Sequence, residues 1–258
     1  MRFVDEVDQD DAHVPPRPAP ETRRLSDLLG AATGPVVRDA PALRAVLRGG
    51  DDPVLYTAQR DADPRRPLPG PAGALYWRGD LVEYSGGVMA DGEPVRSIGH
   101  WNPPEQLEVF QVVSGRVVLL MGDDATPATI SLAEYGPGDT AVVPRGWFHL
   151  TGAPWGPATV FNIYTDRRGA GGTDVAGKYH ARAPLPYLIA MSGDRPVAEP
   201  AAGAPAVPPV VLTGHLRPDG LALPDDLRRF LTGAGPAELA DLRERLAGLS
   251  ATDWPRAA

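Results

Sequence analysis

Apolar positions follow two different periods along this chain. Between residues 75 and 165 they come in short runs: ALYWRGDLVEYSGGVM, EPVRSIGHW, LEVFQVVSGRVVLLMG, ATISLAEYGPGDTAVVPRGWFHLTG and ATVFNIYTD. These runs are rich in Val, Ile, Phe and Tyr, and Gly, Pro and Asp turns separate them. Such even spacing of short strands predicts a β-sandwich or β-barrel. Outside this region the period lengthens. RRLSDLL (Arg23–Leu29) reads as a short amphipathic piece. Asp39–Gly50 predicts a helix, with Asp39 as cap, Pro41 in the first turn and Leu43, Val46 and Leu47 at helical spacing. Pro53–Arg60 reads as a strand and Arg65–Gly73 as a loop. Pro236–Leu249 predicts an amphipathic helix, with leucines 239, 242, 246 and 249 on one face.

These patterns divide the chain into four expected parts. Residues 1–20, acidic and then Pro-rich, are expected to be a disordered leader. Residues 21–190 form the β-barrel domain, 191–210 an Ala/Pro linker, and 211–258 a C-terminal helical extension.

Composition narrows the function classes. Pro 30 and Gly 29 in 258 residues argue for short strands and turns over long helices. The chain has no cysteine, which excludes disulfides, thiolate nucleophiles and Cys-ligated zinc. The net charge is −8 and no basic stripe stands out, so nucleic acid is not an expected partner. The first residues contain no apolar signal core, and no run approaches the ~20 apolar residues of a membrane span. The expectation is a cytoplasmic chain without a membrane partner.

Of the five histidines, His100 and His149 lie inside the β region. His149 ends a frame of Gly138, five residues, Pro144, one residue, Gly146, two residues and the histidine. There Pro144 and Gly146 bend the chain between two strands. The upstream frame is His100-x-Asn102, then Glu108, six residues and Gly115. Residues two apart on a strand share a face, so His100 and Asn102 face one way and Glu108 projects with Phe110 and Val112. A carboxylate on so apolar a strand needs a partner.

The two frames resemble the paired motifs of the cupin superfamily, whose members carry metal ligands inside a jelly-roll β-barrel. RRLSDLL, PVLYTAQR, VRSIGHWNPPEQLEVFQVVSGRVVLLM, VVPRGWFHLTG and FNIYTDRRG also stand in the order seen in the cupin-type glucose-6-phosphate isomerases. That resemblance runs from about Arg23 to about Tyr187. It implies one divalent metal ion (Fe, Mn, Ni or Zn), held by His100, Glu108 and His149. It implies aldose–ketose isomerisation of a sugar phosphate, with Glu108 as the catalytic base, and a homodimer. Ser97, Gly99, Asn102, Phe110, Trp147 and Thr151 are the substrate-binding positions it points to.

The chain departs from that family at readable places. Asn102 stands where the family has a second histidine, and an amide oxygen is a poor match for zinc or iron beside imidazole. Phe110 stands where a substrate-facing tyrosine is usual. The nearest match to the family's His-Asp-Tyr stretch is GGTDVAGKYH, Gly171–His180. Two histidines and one carboxylate leave several coordination positions open. A repurposed metal cupin (an oxygenase, lyase or cyclase) or a non-catalytic binding protein are the alternative readings. Glu105 is an alternative ligand; Arg96, Arg145 and Lys178 are candidates to meet an anionic substrate, and His180 to touch it.

Overall fold

The computed structural model describes residues 19–31, 34, 36–68, 75–166, 181–249 and 253–254. Nearly all of the expected leader, with Lys178 and His180, lies outside them. The chain opens with β1 (Glu21–Arg24), α1 (Leu25–Leu29), α2 (Ala40–Arg48), β2 (Val54–Gln59) and β3 (Arg66–Pro67). The barrel strands follow: β4 (Tyr76–Tyr84), β5 (His100–Trp101), β6 (Glu108–Ser114), β7 (Val117–Gly122), β8 (Thr129–Tyr135), β9 (Thr140–Val143), β10 (Phe148–Gly152) and β11 (Ala158–Asp166). The tail supplies β12 (Tyr187–Ser192), β13 (Arg195–Pro200), β14 (Val210–Thr213), α3 (Leu227–Gly233) and α4 (Pro236–Ala247).

Two sheets face each other. One runs β1-β2-β4-β11-β6-β9, with β3 beside β4; the other runs β14-β8-β7-β10-β5. The eight strands β4 to β11 therefore divide into the rows β4-β11-β6-β9 and β5-β10-β7-β8. That is the jelly-roll order, so the mainly-β cupin-type barrel expected from the sequence is the observed fold.

Strand alternation sorts side chains into three layers. Within the barrel, Val112, Val117, Leu119, Met121, Tyr135 and Val160 form the central core. Residues one step along the same strands point outwards. Val109, Phe161 and Ile163 pack with Trp77 under Leu227, Leu231, Leu239, Leu242 and Leu246 of α3 and α4. On the other side Val118, Leu120, Phe148 and Leu150 pack under Leu185, Tyr187 and Ile189. Both faces of both sheets are thus covered. This explains why β7 reads as an unbroken apolar run, VVLLMG, buried at every position.

Several elements differ from the sequence reading. The segment read as a linker over 191–210 contains all of β13, paired antiparallel with β12. Its prolines, Pro196 and Pro200, mimic linker composition, but a strand in a two-stranded ribbon keeps one edge unpaired and tolerates them. The expected helical extension opens with β14, which pairs parallel with β8, Val210 opposite Thr129. RRLSDLL splits: Arg23 and Arg24 close β1, and Leu25 and Leu28 are buried from α1. EPVRSIGHW reads as a strand, yet only His100 and Trp101 are in one. Gly99, at φ +79, breaks the extended backbone just before them. The helix over 39–50 forms as expected, with Asp39 accepting from Ala42 N at 3.0 Å. Among the described residues, no helix is long and apolar enough to cross a membrane.

Candidate metal centre

One end of the barrel interior is apolar and the other is polar. At the polar end β5, β6 and β10 bring three side chains together. His100 lies directly opposite His149 in the β5–β10 pairing, and their rings meet edge to face with centroids 4.3 Å apart. Glu108 starts β6, across the barrel. One ligand atom from each of His100, Glu108 and His149 lies within 4.8 Å of the others. Donor atoms on a single ion at about 2.0–2.2 Å lie roughly 3–4 Å apart, so only a small inward adjustment closes this set. Two imidazoles and a carboxylate are the donor chemistry of Zn, Fe, Mn and Ni sites. The cluster fits a divalent ion.

The backbone around the site explains the placement. Trp147 N donates to Pro144 O at 3.1 Å, and this turn with Gly146 at φ +76 returns the chain into β10. Asn102 N donates to Trp147 O at 3.0 Å, tying the two motifs to each other. A side chain at residue 99 would meet Phe148 Cζ at 2.5 Å and Leu150 Cβ at 3.0 Å. Glycine there lets the chain pass β10 closely enough for His100 to sit beside His149.

Glu108 is 3% exposed and held by three amides. Asn102 Nδ2 donates to Oε2 at 2.6 Å, Asn162 Nδ2 to Oε1 at 2.6 Å, and Gln106 Nε2 to Oε2 at 3.3 Å. Burial pushes its carboxyl above the usual range, and the amide hydrogen bonds oppose that shift. His149 Nε2 stands 3.5 Å from Glu108 Oε2 and 3.2 Å from Asn102 Oδ1. Burial lowers its pKa to about 3, so the ring is neutral and able to ligate.

The other predicted positions scatter. Asn102 is fully buried and serves Glu108 and His149. Phe110 packs its edge against the His149 ring, centroids 5.3 Å apart. The Ser97 hydroxyl accepts from Thr151 N at 3.0 Å, and Ser97 N donates to Thr151 O at 2.9 Å. These two residues tie the barrel wall together. Trp147 is half-buried against the central core. Glu105 is exposed on the turn before Gln106 and is outside the cluster. Arg96 is buried and paired with Glu93 at 2.8 Å. Arg145 is exposed and donates to Pro104 O at 2.8 Å and to Ala247 O at 3.2 Å.

A cavity of about 840 Å³ opens over the cluster, lined by Gly99, His100, Gln106, Glu108 and Asn162 among others. Its far wall holds charged residues that the sequence reading passed over. Asp80, 1% exposed, accepts from Arg60 Nη1 at 2.7 Å, from Asp61 N at 2.9 Å and from the Tyr164 hydroxyl at 3.3 Å. Arg78 pairs with Asp61 through two hydrogen bonds, of 2.7 and 2.8 Å, and also with Asp166. Tyr164 stands directly opposite Glu108 in the β11–β6 register, and burial together with Asp80 keeps its phenol protonated. The signal was present as alternation: Arg78 and Asp80 on β4, and Asn162, Tyr164 and Asp166 on β11, interrupt otherwise apolar strands at every second residue.

No family model and no curated protein matches the chain. Among solved structures it is similar to KdgF from Halomonas sp., at 15% identity and a TM-score of 0.31, over 45% of this chain and 83% of that one. It is also similar to a structure of the DMSP lyases RdDddP and RnDddQII, at 20% identity and TM-score 0.28, over 45% and 48%. An oxalate oxidase in complex with glycolate matches at 13% and 0.30, over 37% and 43%. In the last two, the matched part spans less than half of the other chain. Likenesses this distant assign no reaction, and the chemistry rests on the chain's own residues.

Proposed function

We propose that this chain is a metal-dependent enzyme that moves a proton between neighbouring carbons of a small hydroxycarbonyl compound, as in aldose–ketose isomerisation. One observation carries the reading: His100, Glu108 and His149 converge, and His100 and Glu108 of that cluster line a cavity large enough for a small molecule. His100, His149 and Glu108 would hold the ion, of Zn, Fe, Mn or Ni type. When bound, it would polarise a carbonyl or hydroxyl oxygen and acidify the adjoining C–H. Asn102 and Asn162 orient the Glu108 carboxylate from both sides. Glu108, made more basic by burial, would take the proton at Oε1, because Oε2 faces His149 and already accepts from Asn102 and Gln106; the Tyr164 hydroxyl, which donates to Asp80 at 3.3 Å, would turn to the substrate oxygen.

Metal analysis of the purified chain, with solvent deuterium incorporation into hydroxycarbonyl compounds followed by NMR, tests the reading. The expected result is one divalent ion per chain and incorporation that depends on it, both lost in His149→Ala. A chain that binds no divalent ion, or a loaded chain that exchanges no substrate proton, removes the proposal. A lyase begins with the same proton abstraction. Elimination products in place of an isomer would assign that version.

A further inference from the structure

The charge balance of the cavity wall points to a substrate class. We infer that the site takes a neutral, polyhydroxylated carbonyl compound and not a phosphorylated one. This rests on the reading of the cavity as a substrate site. Phosphate recognition needs cationic or N–H donors that are not already neutralised. Among the described lining residues the cations are four arginines, and each already meets a carboxylate. Arg60 pairs with Asp80 at 2.7 Å and Arg65 with Asp61 at 2.8 Å. Arg78 pairs with Asp61 at 2.7 Å and with Asp166. Arg23 pairs with Glu21 at 3.2 Å, and Glu21 is also 3.4 Å from Arg60. Glu108 and Asp27 add two further carboxylates to the lining. The lining thus holds six carboxylates against four arginines, and even a divalent ion on His100, Glu108 and His149 brings it only to neutrality, so a dianionic phosphate meets no surplus of positive charge.

The same wall suits hydroxyl groups. Alternating carboxylate oxygens, guanidinium N–H groups, the Tyr164 hydroxyl and the Gln106 amide both accept and donate. A polyol donates and accepts in turn and carries no charge to be balanced. Ser97, where the isomerase resemblance implies a phosphate contact, has its hydroxyl engaged by Thr151 N and is absent from the cavity lining.

The test is calorimetric titration of the full, metal-loaded chain with fructose and with fructose 6-phosphate, repeated on Glu21→Gln. Glu21 is half-exposed, so this variant removes a carboxylate from Arg23 and Arg60 without opening the core. The wild-type chain is expected to bind fructose at least as tightly as its phosphate. Glu21→Gln is expected to shift the ratio several-fold towards the phosphate, because it leaves cationic charge uncompensated. Three results overturn the inference: about tenfold or greater preference of the wild-type chain for the phosphate, a ratio unmoved in Glu21→Gln, or binding of neither sugar at millimolar concentrations. Metal analysis of the same wild-type preparation separates the two readings. If the wild-type chain binds no ion yet prefers the neutral sugar, the metal reading fails alone. If it binds the ion and prefers the phosphate, the substrate class fails alone.

Discussion

Asn102 donates its side-chain amide to buried Glu108 Oε2 across 2.6 Å and is itself fully buried. The chemistry fixes the orientation of that amide. Turned over, its carbonyl oxygen would face a carboxylate oxygen at the same distance, and the contact would be repulsive. In the observed sense its oxygen faces His149 Nε2 at 3.2 Å and Gln106 Nε2 at 3.3 Å. Asn102 therefore acts on the two neighbouring ligand candidates, and the histidine expected there from the isomerase resemblance is replaced by a group that orients a carboxylate.

Asn102→Ala removes this donor and leaves the buried Glu108 Oε2 with the longer Gln106 contact. The expected cost is about 1–3 kcal/mol of stability, because a buried acceptor loses its shortest hydrogen bond inside the barrel. Divalent-ion affinity should fall by roughly 10- to 100-fold, the usual effect of losing a hydrogen bond to a ligating group. Urea unfolding of the metal-free chain and competition with a chelator measure the two effects separately. Unchanged ion affinity would remove Asn102 from the site.

Gly99→Ala should disturb the site by steric means alone. The backbone is at φ +79 and the added methyl would lie 2.5 Å from Phe148 Cζ. Left-handed strain and overpacking each cost about 1–3 kcal/mol. The strand must move away from β10, and His100, the next residue, moves with it. The measurement is ion affinity in Gly99→Ala against a variant of matched stability on the far side of the barrel. Equal affinities in the two would show that His100 keeps its place without the close approach.

The parts of this molecule legible in the sequence are those where period and chemistry coincide. Glu108, Phe110 and Val112 alternate with Val109 and Gln111, so the face of β6 could be read. The Gly-Pro-Gly-His frame placed His149 after a turn because proline and glycine restrict the backbone locally. The far wall of the cavity was harder. Arg78, Asp80 and Tyr164 look like ordinary outward-facing polar residues until both sheet faces are known to be covered. Only then does a polar side chain on β4 or β11 become an interior one. β14 was hidden for another reason: its four residues follow a proline-rich stretch, and its parallel partner β8 lies some eighty residues earlier. No local pattern encodes that pairing.

The wall makes stability acid-sensitive in a definite way. Asp61 is desolvated by partial burial, but Arg65 and Arg78 outweigh this and hold its carboxyl below the usual range. A depressed folded pKa contributes stability above the unfolded value of about 3.9, and that contribution is lost as pH falls through the folded value. Asp61→Asn should therefore be less stable than wild type at neutral pH and lose less stability between about pH 5 and 2. Thermal unfolding across that range checks it. Parallel pH profiles for the two chains would show that the Asp61 pairs carry no net stability.

The tail helices should unfold with the barrel. Leu242 of α4 is fully buried in the layer that includes Trp77, Phe161 and Leu231. The Trp77 indole donates to Leu239 O at 3.0 Å, and Arg66 donates to Leu231 O at 2.7 Å and Thr232 O at 2.9 Å at the end of α3. These polar contacts fix the helices at one position on the sheet, and the leucines supply the apolar burial. Leu242→Ala is expected to cost about 2–5 kcal/mol, the range for a fully buried leucine whose cavity closes only partly. Because the same layer covers the outer face of β4 and β11, the loss should appear in a single shifted transition for the whole chain. Denaturation followed by tryptophan fluorescence and by far-ultraviolet circular dichroism distinguishes the outcomes. Coincident curves place the tail in the barrel's cooperative unit; an early helical transition with an unshifted barrel would make it an independent appendage.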